Sequence, residues 1–462
     1  MPPRLPTLQP PPDIWDEPVT GAWAGPWPRL ATSSLLHGIT AFLPSIGASA
    51  VLADYFDEQA YQFNGVRASV TALFAFALQP AIGVLSDVHG RKPLIAVCLA
   101  SSALPNVALL CGSVWGWAVL CAVSGASGAS TSLILAAISE CTDEVHRAGA
   151  MGITLALTFG IGNLIGISVG SLLYQRLGAL SFAAPLASAA LNLCWLALCT
   201  PETAKRRATA AGCAALSPWR AFSLLAPSES AGSGFEGRGA LLTICALHYL
   251  LFASFFGYIM NKSLILMHGF GLSAAQATPY VSFGAACSFL GYASIAPLRR
   301  CCSELAIAKF GFVSLILGFV LAAMATTPTL YYLVAALVAA GMMAAPALTS
   351  LASTFAPSGK QGATQALLGA FLTLAEGTGP LGVGLALSAT TKLSRRPGAP
   401  FWVAAVACFA ALVLLQVAVP RQSARAIDRR DSVRLAWTRL SPPVTSGEGV
   451  ERAYGRLSGG AP

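Results

Sequence analysis

Charge is what this sequence has least of. Only 10% of its 462 residues are Asp, Glu, Lys or Arg, against 55% hydrophobic, whereas a soluble domain carries roughly a quarter charged residues. A chain so poor in charge cannot cover its own surface in water, which excludes an ordinary soluble globule. Acid is scarcer than base: 19 carboxylates face 28 Lys and Arg. No GxxxxGK[ST] loop occurs, so nothing supports ATP drive. The 12 cysteines contain no CxxC pair, which leaves no metal-ligand or redox spacing, and neither a metal nor a cofactor is expected. Several, such as Cys98, Cys111, Cys194, Cys245 and Cys408, fall in apolar stretches as small buried residues. The adjacent Cys301 and Cys302 read as free thiols in a short basic loop. The Pro-rich start lacks a basic segment followed by an apolar one, so no cleavable signal peptide is expected; the first apolar stretch then acts as its own insertion signal.

What the sequence does have is a series of apolar stretches of about 20 residues, each long enough to cross a hydrocarbon core of roughly 30 Å. They fall at 30–53, 64–86, 93–113, 115–138, 150–173, 179–199, 239–260, 273–297, 305–326, 329–354, 362–389 and 400–420. A bilayer accepts apolar side chains outward while each helix satisfies its own backbone. The fold class expected is therefore an all-α membrane protein of about twelve spans in two six-helix bundles. The N-terminal bundle covers 30–199 after a segment 1–29, and the C-terminal bundle covers 239–420. Between them 200–238 is a polar, Pro/Gly/Ser-rich linker, and 421–462 is an Arg-rich tail. In that tail Val433, Ala436, Trp437 and Leu440 share one helical face, which leaves open a helix lying on an anionic leaflet or a solvated tail.

The net charge of +9 is a matter of distribution. With both termini in the cytoplasm, only Arg67, Arg176, Lys262, Lys392, Arg395 and Arg396 of the 28 basic residues lie on the far side. That is the positive-inside bias of an even number of spans. The excess orients the chain in a lipid bilayer and implies no nucleic-acid partner; a monomer is expected. A weak internal repeat supports the two bundles: Gly152, Gly160 and Gly162 recur as Gly369, Gly377 and Gly379 at the same spacing, in the fifth and eleventh stretches.

The link between the second and third stretches reads Gly83-Val-Leu-Ser-Asp87-Val-His-Gly90-Arg91-Lys92-Pro93. Glycines permit tight turns and close helix approach, and a carboxylate at a membrane edge needs a cation or a helix N-terminus to hold it. The pattern resembles the G-x-L-x-D-x-x-G-R-K loop of the major facilitator superfamily. Asn64 to Lys92, then Ile138-Ser-Glu140-Cys-Thr142 through Arg147, then Gly359 to Gln365 and Glu376-Gly-Thr-Gly379-Pro380 resemble the hippocampus-abundant-transcript-like group, relatives of the tetracycline/proton antiporters. Glu140 stands where that group usually has Asp, and the second-half copy of the loop, near Arg299 and Arg300, has lost its acid. The resemblance implies a secondary carrier of a small organic solute working by alternating access, with proton coupling an option. It also implies that Asp87, Arg91 and Glu140 form a cytoplasmic charge cluster that locks one state. The alternative for these charges is that they only fix topology.

Of the 19 carboxylates only Glu376 falls well inside an apolar stretch. An acid there costs several kcal/mol unless it is paired, hydrated or protonated. It reads as a proton-coupling group or as a hydrogen-bonding group between helices. His37 and His248 sit at membrane depth in the first helix of each half, and each is a candidate for solute or proton binding or a donor to a backbone carbonyl. Gln79, Asn106, Asn163 and Asn192 are as readily interhelical glue as ligand contacts. Gly162, Gly166 and Gly170 give one helix face a small residue at every fourth position for packing, and Gly379 with Pro380 marks the eleventh stretch. The G-P element of related antiporters is absent, since Ile167 follows Gly166, and the fourth stretch has no arginine; both departures weaken a drug/proton antiport reading. Pro44, Pro80, Pro105, Pro346 and Pro380 lie inside stretches and predict bends. Tyr331, Tyr332, Met342 and Met343 offer soft surface for an organic solute or for plain packing. Two other classes stay open: a non-transporting sensor or chaperone on a carrier fold, and an intramembrane enzyme, for which no converging pair of reactive groups is visible.

Overall fold

The computed structural model describes residues 26–142, 144–203, 238–298, 301–355, 361–393, 398 and 400–418. The expectations placed on the linker, the Arg-rich tail, Arg299 and Arg300 lie outside these residues. Among the described residues, each of the expected apolar stretches is mainly helical. They form α1 (Trp27–Phe42), α2 (Ser45–Phe56), α3 (Ala60–His89), α4 (Arg91–Leu110), α5 (Val114–Val123), α6 (Ala129–Cys141), α7 (Glu144–Leu155), α8 (Asn163–Leu177) and α9 (Ala183–Cys199). After the linker come α10 (Arg238–Leu264), α11 (Ala274–Leu298), α12 (Glu304–Met324), α13 (Leu330–Gly341), α14 (Ala344–Thr354), α15 (Gln361–Leu393) and α16 (Pro400–Ala418).

Sixteen helices arise from fewer stretches because several stretches break internally. Pro44 divides the first into α1 and α2, since its ring cannot continue the backbone ladder. The fourth divides at Ser124–Gly128, SGASG, a run of poor helix formers. The tenth divides at Met342–Met343, just before Pro346. A π-helical turn, Ala156–Gly162, joins α7 to α8 around Gly160 and Gly162. Ser113 and Ser303 start α5 and α12 by accepting from the amides of Gly116 and Ala306, which satisfies one orphan donor at each end. Eight helical runs are long and apolar enough to cross a membrane. Two of them, Trp27–Ser86 and Ala150–Cys199, each contain two of the expected stretches. Large apolar side chains such as Leu73, Trp115, Leu198, Leu290, Val403 and Val417 point outward, as lipid-facing positions do.

The described chain divides into two compact units. The first comprises the described residues of Met1–Gly47 and Ala77–Ser217, the second those of Ala48–Phe76 and Pro218–Pro462. α3 is thus shared by position: residues 60–76 count with the second unit and 77–89 with the first. The first unit's core joins α1, α4, α6, α7 and α9 through Trp27, Leu30, Ile95, Cys98, Leu99, Leu133, Ile134, Ile138, Ala150 and Leu196. Small residues thin its helix contacts: a Cβ at Gly162 would meet Gly38 at 3.1 Å, one at Gly166 would meet Phe42, and one at Gly170 would overlap the Leu43 carbonyl. The second unit is knit by aromatics. Phe319 stacks on Phe401 with centroids 6.1 Å apart, and Tyr258 meets both rings edge-on. There Gly379 packs against the Ala253 backbone of α10, and Gly65 of α3 sits against Pro380.

Candidate functional site

The signature segment is mostly helix. Residues 83–89 continue α3, and the chain turns only at Gly90, whose φ of 106° is open to glycine alone at low cost. Gly83 has open space where its Cβ would be, so it provides neither a turn nor a close approach; its carbonyl accepts from Ser86 Oγ at 2.6 Å. Arg91, the first residue of α4, organises the edge. Its Nη2 donates to Glu140 Oε1 of α6 at 2.9 Å and its Nη1 to Ser86 Oγ at 2.8 Å. Lys92 Nζ donates to the Ala197 carbonyl of α9 at 2.8 Å. The side chains of Asp87 and Arg147 lie outside what the structure describes.

A residue that the sequence reading passed over completes this cluster. Glu202, just beyond α9, accepts from the Arg91 amide at 2.8 Å and from the Lys92 amide at 3.1 Å. It therefore caps the N-terminus of α4, where orphan N–H groups and the positive end of the helix dipole both favour a carboxylate. Its Oε2 would stand 2.6 Å from a Cβ at Gly90, so glycine there serves the cap as well as the turn. The signal was an acid immediately after the sixth apolar stretch, in Pro201-Glu202-Thr203, read only as the start of a linker.

Deeper in the first unit, α1 carries a line of buried polar residues. Ser33 and Asn192 exchange two hydrogen bonds at 2.8 and 2.9 Å, Ser34 meets Thr158 at 2.6 Å, and Thr40 meets Ser188 at 2.8 Å. His37 joins this line through Nε2 and Ser130 Oγ at 2.7 Å, while its Nδ1 has no partner. Asn163 and Asn106 are buried, each with an unpartnered amide oxygen. Gln79 is half-buried on α3. Interhelical bonds of this kind contribute about 0.6 kcal/mol each in a membrane.

In the second unit Glu376, half-buried on α15, faces Arg67 of α3 closely enough for the two charges to attract. Arg67 in turn donates to Asn64 Oδ1 at 2.9 Å. Residues 60–76 of α3 are bound along their length: Tyr61 to the Leu264 carbonyl, Asn64 to the Met260 carbonyl at 2.9 Å and to Asn261 Oδ1 at 3.4 Å, and Ser69 to the Gly377 carbonyl at 2.7 Å. His248 is buried against Phe252, with its Nδ1 unpartnered. Of the basic residues expected on the far side, Arg67 is half-buried on α3 and Lys262 is buried within α10. α3 and α10 run 30 and 27 residues, about 45 and 40 Å, so an apolar window of 20 residues stops short of where packing stops. Tyr332 stacks on Tyr280 at 4.3 Å, and Tyr331 is buried.

The sequence model of the Major Facilitator Superfamily matches residues 30–300 of the chain. The chain belongs to that superfamily. As a member it is an integral multi-pass membrane protein and a secondary transporter. Among curated relatives, a class G tetracycline resistance protein from Vibrio anguillarum is 29% identical over 72% of this chain and 82% of its own length. The human hippocampus abundant transcript 1 protein is 25% identical over 71% of this chain, which spans only 66% of that relative. Solved superfamily structures agree in fold. The human organic anion transporter MFSD10 superposes with a TM-score of 0.66 at 19% identity, covering 84% of this chain and 99% of that one. A D-xylose-proton symporter gives 0.67 at 15% identity, covering 85% and 97%.

Proposed function

We propose that the protein is a proton-coupled carrier of a small organic solute, working by alternating access with both termini in the cytoplasm and twelve passes in two six-helix halves. The observation that carries the proposal is Glu376 facing Arg67. Burial of a carboxyl group in an apolar helix disfavours its charged form, and a cation close by opposes that effect. Protonation releases Arg67 from it, and deprotonation restores the attraction. A group poised in this way can link proton movement to a change in how α3 meets α15. Arg91, Glu140 and Glu202 then act as a cytoplasmic latch, and the hydrogen bonds of Tyr61, Asn64 and Ser69 as the contacts that α3 makes and breaks with α10 and α15. A cycle breaks one set while the other holds.

Reconstituted protein tests the coupling. Proteoliposomes with an imposed pH gradient should accumulate solute, and Glu376→Gln should abolish accumulation while leaving solute exchange at zero gradient. Wild-type accumulation by Glu376→Gln removes the coupling role, and loss of folded protein alone makes Glu376 a structural residue.

A further inference from the structure

Lys262 is buried in α10 at 7% exposure, and among the described residues it has neither a hydrogen-bond nor an ion-pair partner. Its amine reaches toward α11 at Gly284. A Cβ built there would stand 3.9 Å from Nζ and 3.4 Å from Ala335 of α13, which puts the amine beside the α11–α13 contact. Tyr258 precedes Lys262 by one turn on the same side of α10, and Tyr331 precedes Ala335 by one turn on α13. The hydroxyls of Tyr258 and Tyr61 lie close enough to that of Tyr331 to interact electrostatically. Tyr61 is engaged, donating to the Leu264 carbonyl at 3.3 Å. The Tyr331 hydroxyl, on a residue 2% exposed, has no partner.

Among the described residues no carboxylate pairs with the amine. α10, α11 and α13 contain no acidic residue. Of the described acids elsewhere in the unit, Asp54 and Glu58 are exposed, Asp57 pairs with His268 at 3.0 Å, Glu304 accepts from Ser350, and Glu376 lies near enough to Arg67 for their charges to attract. A buried ammonium without a counter-charge and a buried hydroxyl without an acceptor are each costly. One anionic group that accepts from both removes both costs. A single cation balances a single negative charge and leaves a dianion uncompensated. Phe270, edge-on to Tyr331 at 5.5 Å, gives an apolar flank for the rest of an organic solute.

We infer that Lys262 and Tyr331 form a carboxylate-binding subsite, and that the transported solute is an organic monoanion or zwitterion bearing one carboxylate. This rests on the carrier reading and names its substrate class. Purified protein in nanodiscs is titrated with hippurate and with its uncharged amide, N-benzoylglycinamide, while thermal unfolding is followed. Hippurate should raise the midpoint and bind at least tenfold more tightly than the amide. Lys262→Met should erase that preference without lowering the unliganded midpoint, since it removes an unpaired buried charge. Tyr331→Phe should weaken hippurate severalfold and leave the amide unaffected. A wild-type protein that does not distinguish acid from amide, or a preference that survives Lys262→Met, overturns the subsite. Proteoliposome uptake of both compounds separates this from the carrier reading. Flux that ignores the carboxylate keeps the carrier and removes the subsite. Lys262-dependent binding without flux keeps the subsite and removes the carrier.

Discussion

The third and ninth apolar stretches open with α4 and α12, and their starts are held in different ways. α4 begins at an ionic junction: Glu202 caps its first amides, and Arg91 reaches Glu140 of α6. α12 begins with a neutral cap, Ser303, and its first residue, Glu304, is buried and accepts from Ser350 Oγ of α14. In both cases the start of one helix is tied to the helix two further along the chain. One tie uses two partly exposed charges and the other a carboxylate and a hydroxyl. A partly hydrated ion pair gains little net stability and can be broken and remade cheaply, whereas a buried acid bound to a hydroxyl is expensive to expose. The contrast suits a latch in the first half and a fixed joint in the second.

Four substitutions test that contrast, from the largest expected effect to the smallest. Arg91→Ala leaves Glu140 and Ser86 without their donor and should cut uptake more than tenfold at equal membrane abundance; near-normal uptake would reduce these charges to topology markers. Glu304→Ala should act on stability instead, lowering the unfolding midpoint by several degrees through loss of a buried hydrogen-bonded group, with residual protein transporting normally. Glu202→Ala uncovers two amides at the start of α4 and should cost about 1 kcal/mol, with Glu202→Gln recovering part of it in the same melting assay. Ser350→Ala should be mildest, costing about 0.6 kcal/mol with no change in uptake. Should Ser350→Ala impair uptake as much as Arg91→Ala, the two ends do not differ as described.

The helices were legible because lipid solvation leaves a local mark: 20 apolar residues in a row need no tertiary information to be read. Helix breaks at Pro44 and at Ser124–Gly128 follow from local chemistry as well. What composition could not supply was partnership across distance. Glu202 caps a helix 110 residues earlier in the chain, and nothing around it signals this. The burial of Arg67 and Lys262 was not legible either, because hydropathy marks where apolar residues end, while burial depends on the neighbours that a long helix continues to meet. The pairing of Arg91 with Glu140 came from the motif resemblance rather than from spacing, since 49 positions separate them. His37 and His248 read alike in sequence, yet one bonds Ser130 and the other lies on Phe252.

In the proposed cycle the first half of α3 leaves α10. Asn64 and Asn261 face each other across that contact, with Nδ2 and Oδ1 3.4 Å apart. In a background freed of the native cysteines, Asn64→Cys and Asn261→Cys bridged by a short thiol-reactive cross-linker should abolish uptake, and cleaving the bridge should restore it. Uptake that continues at an undiminished rate with the bridge intact would mean that α3 never parts from α10, and would contradict the mechanism.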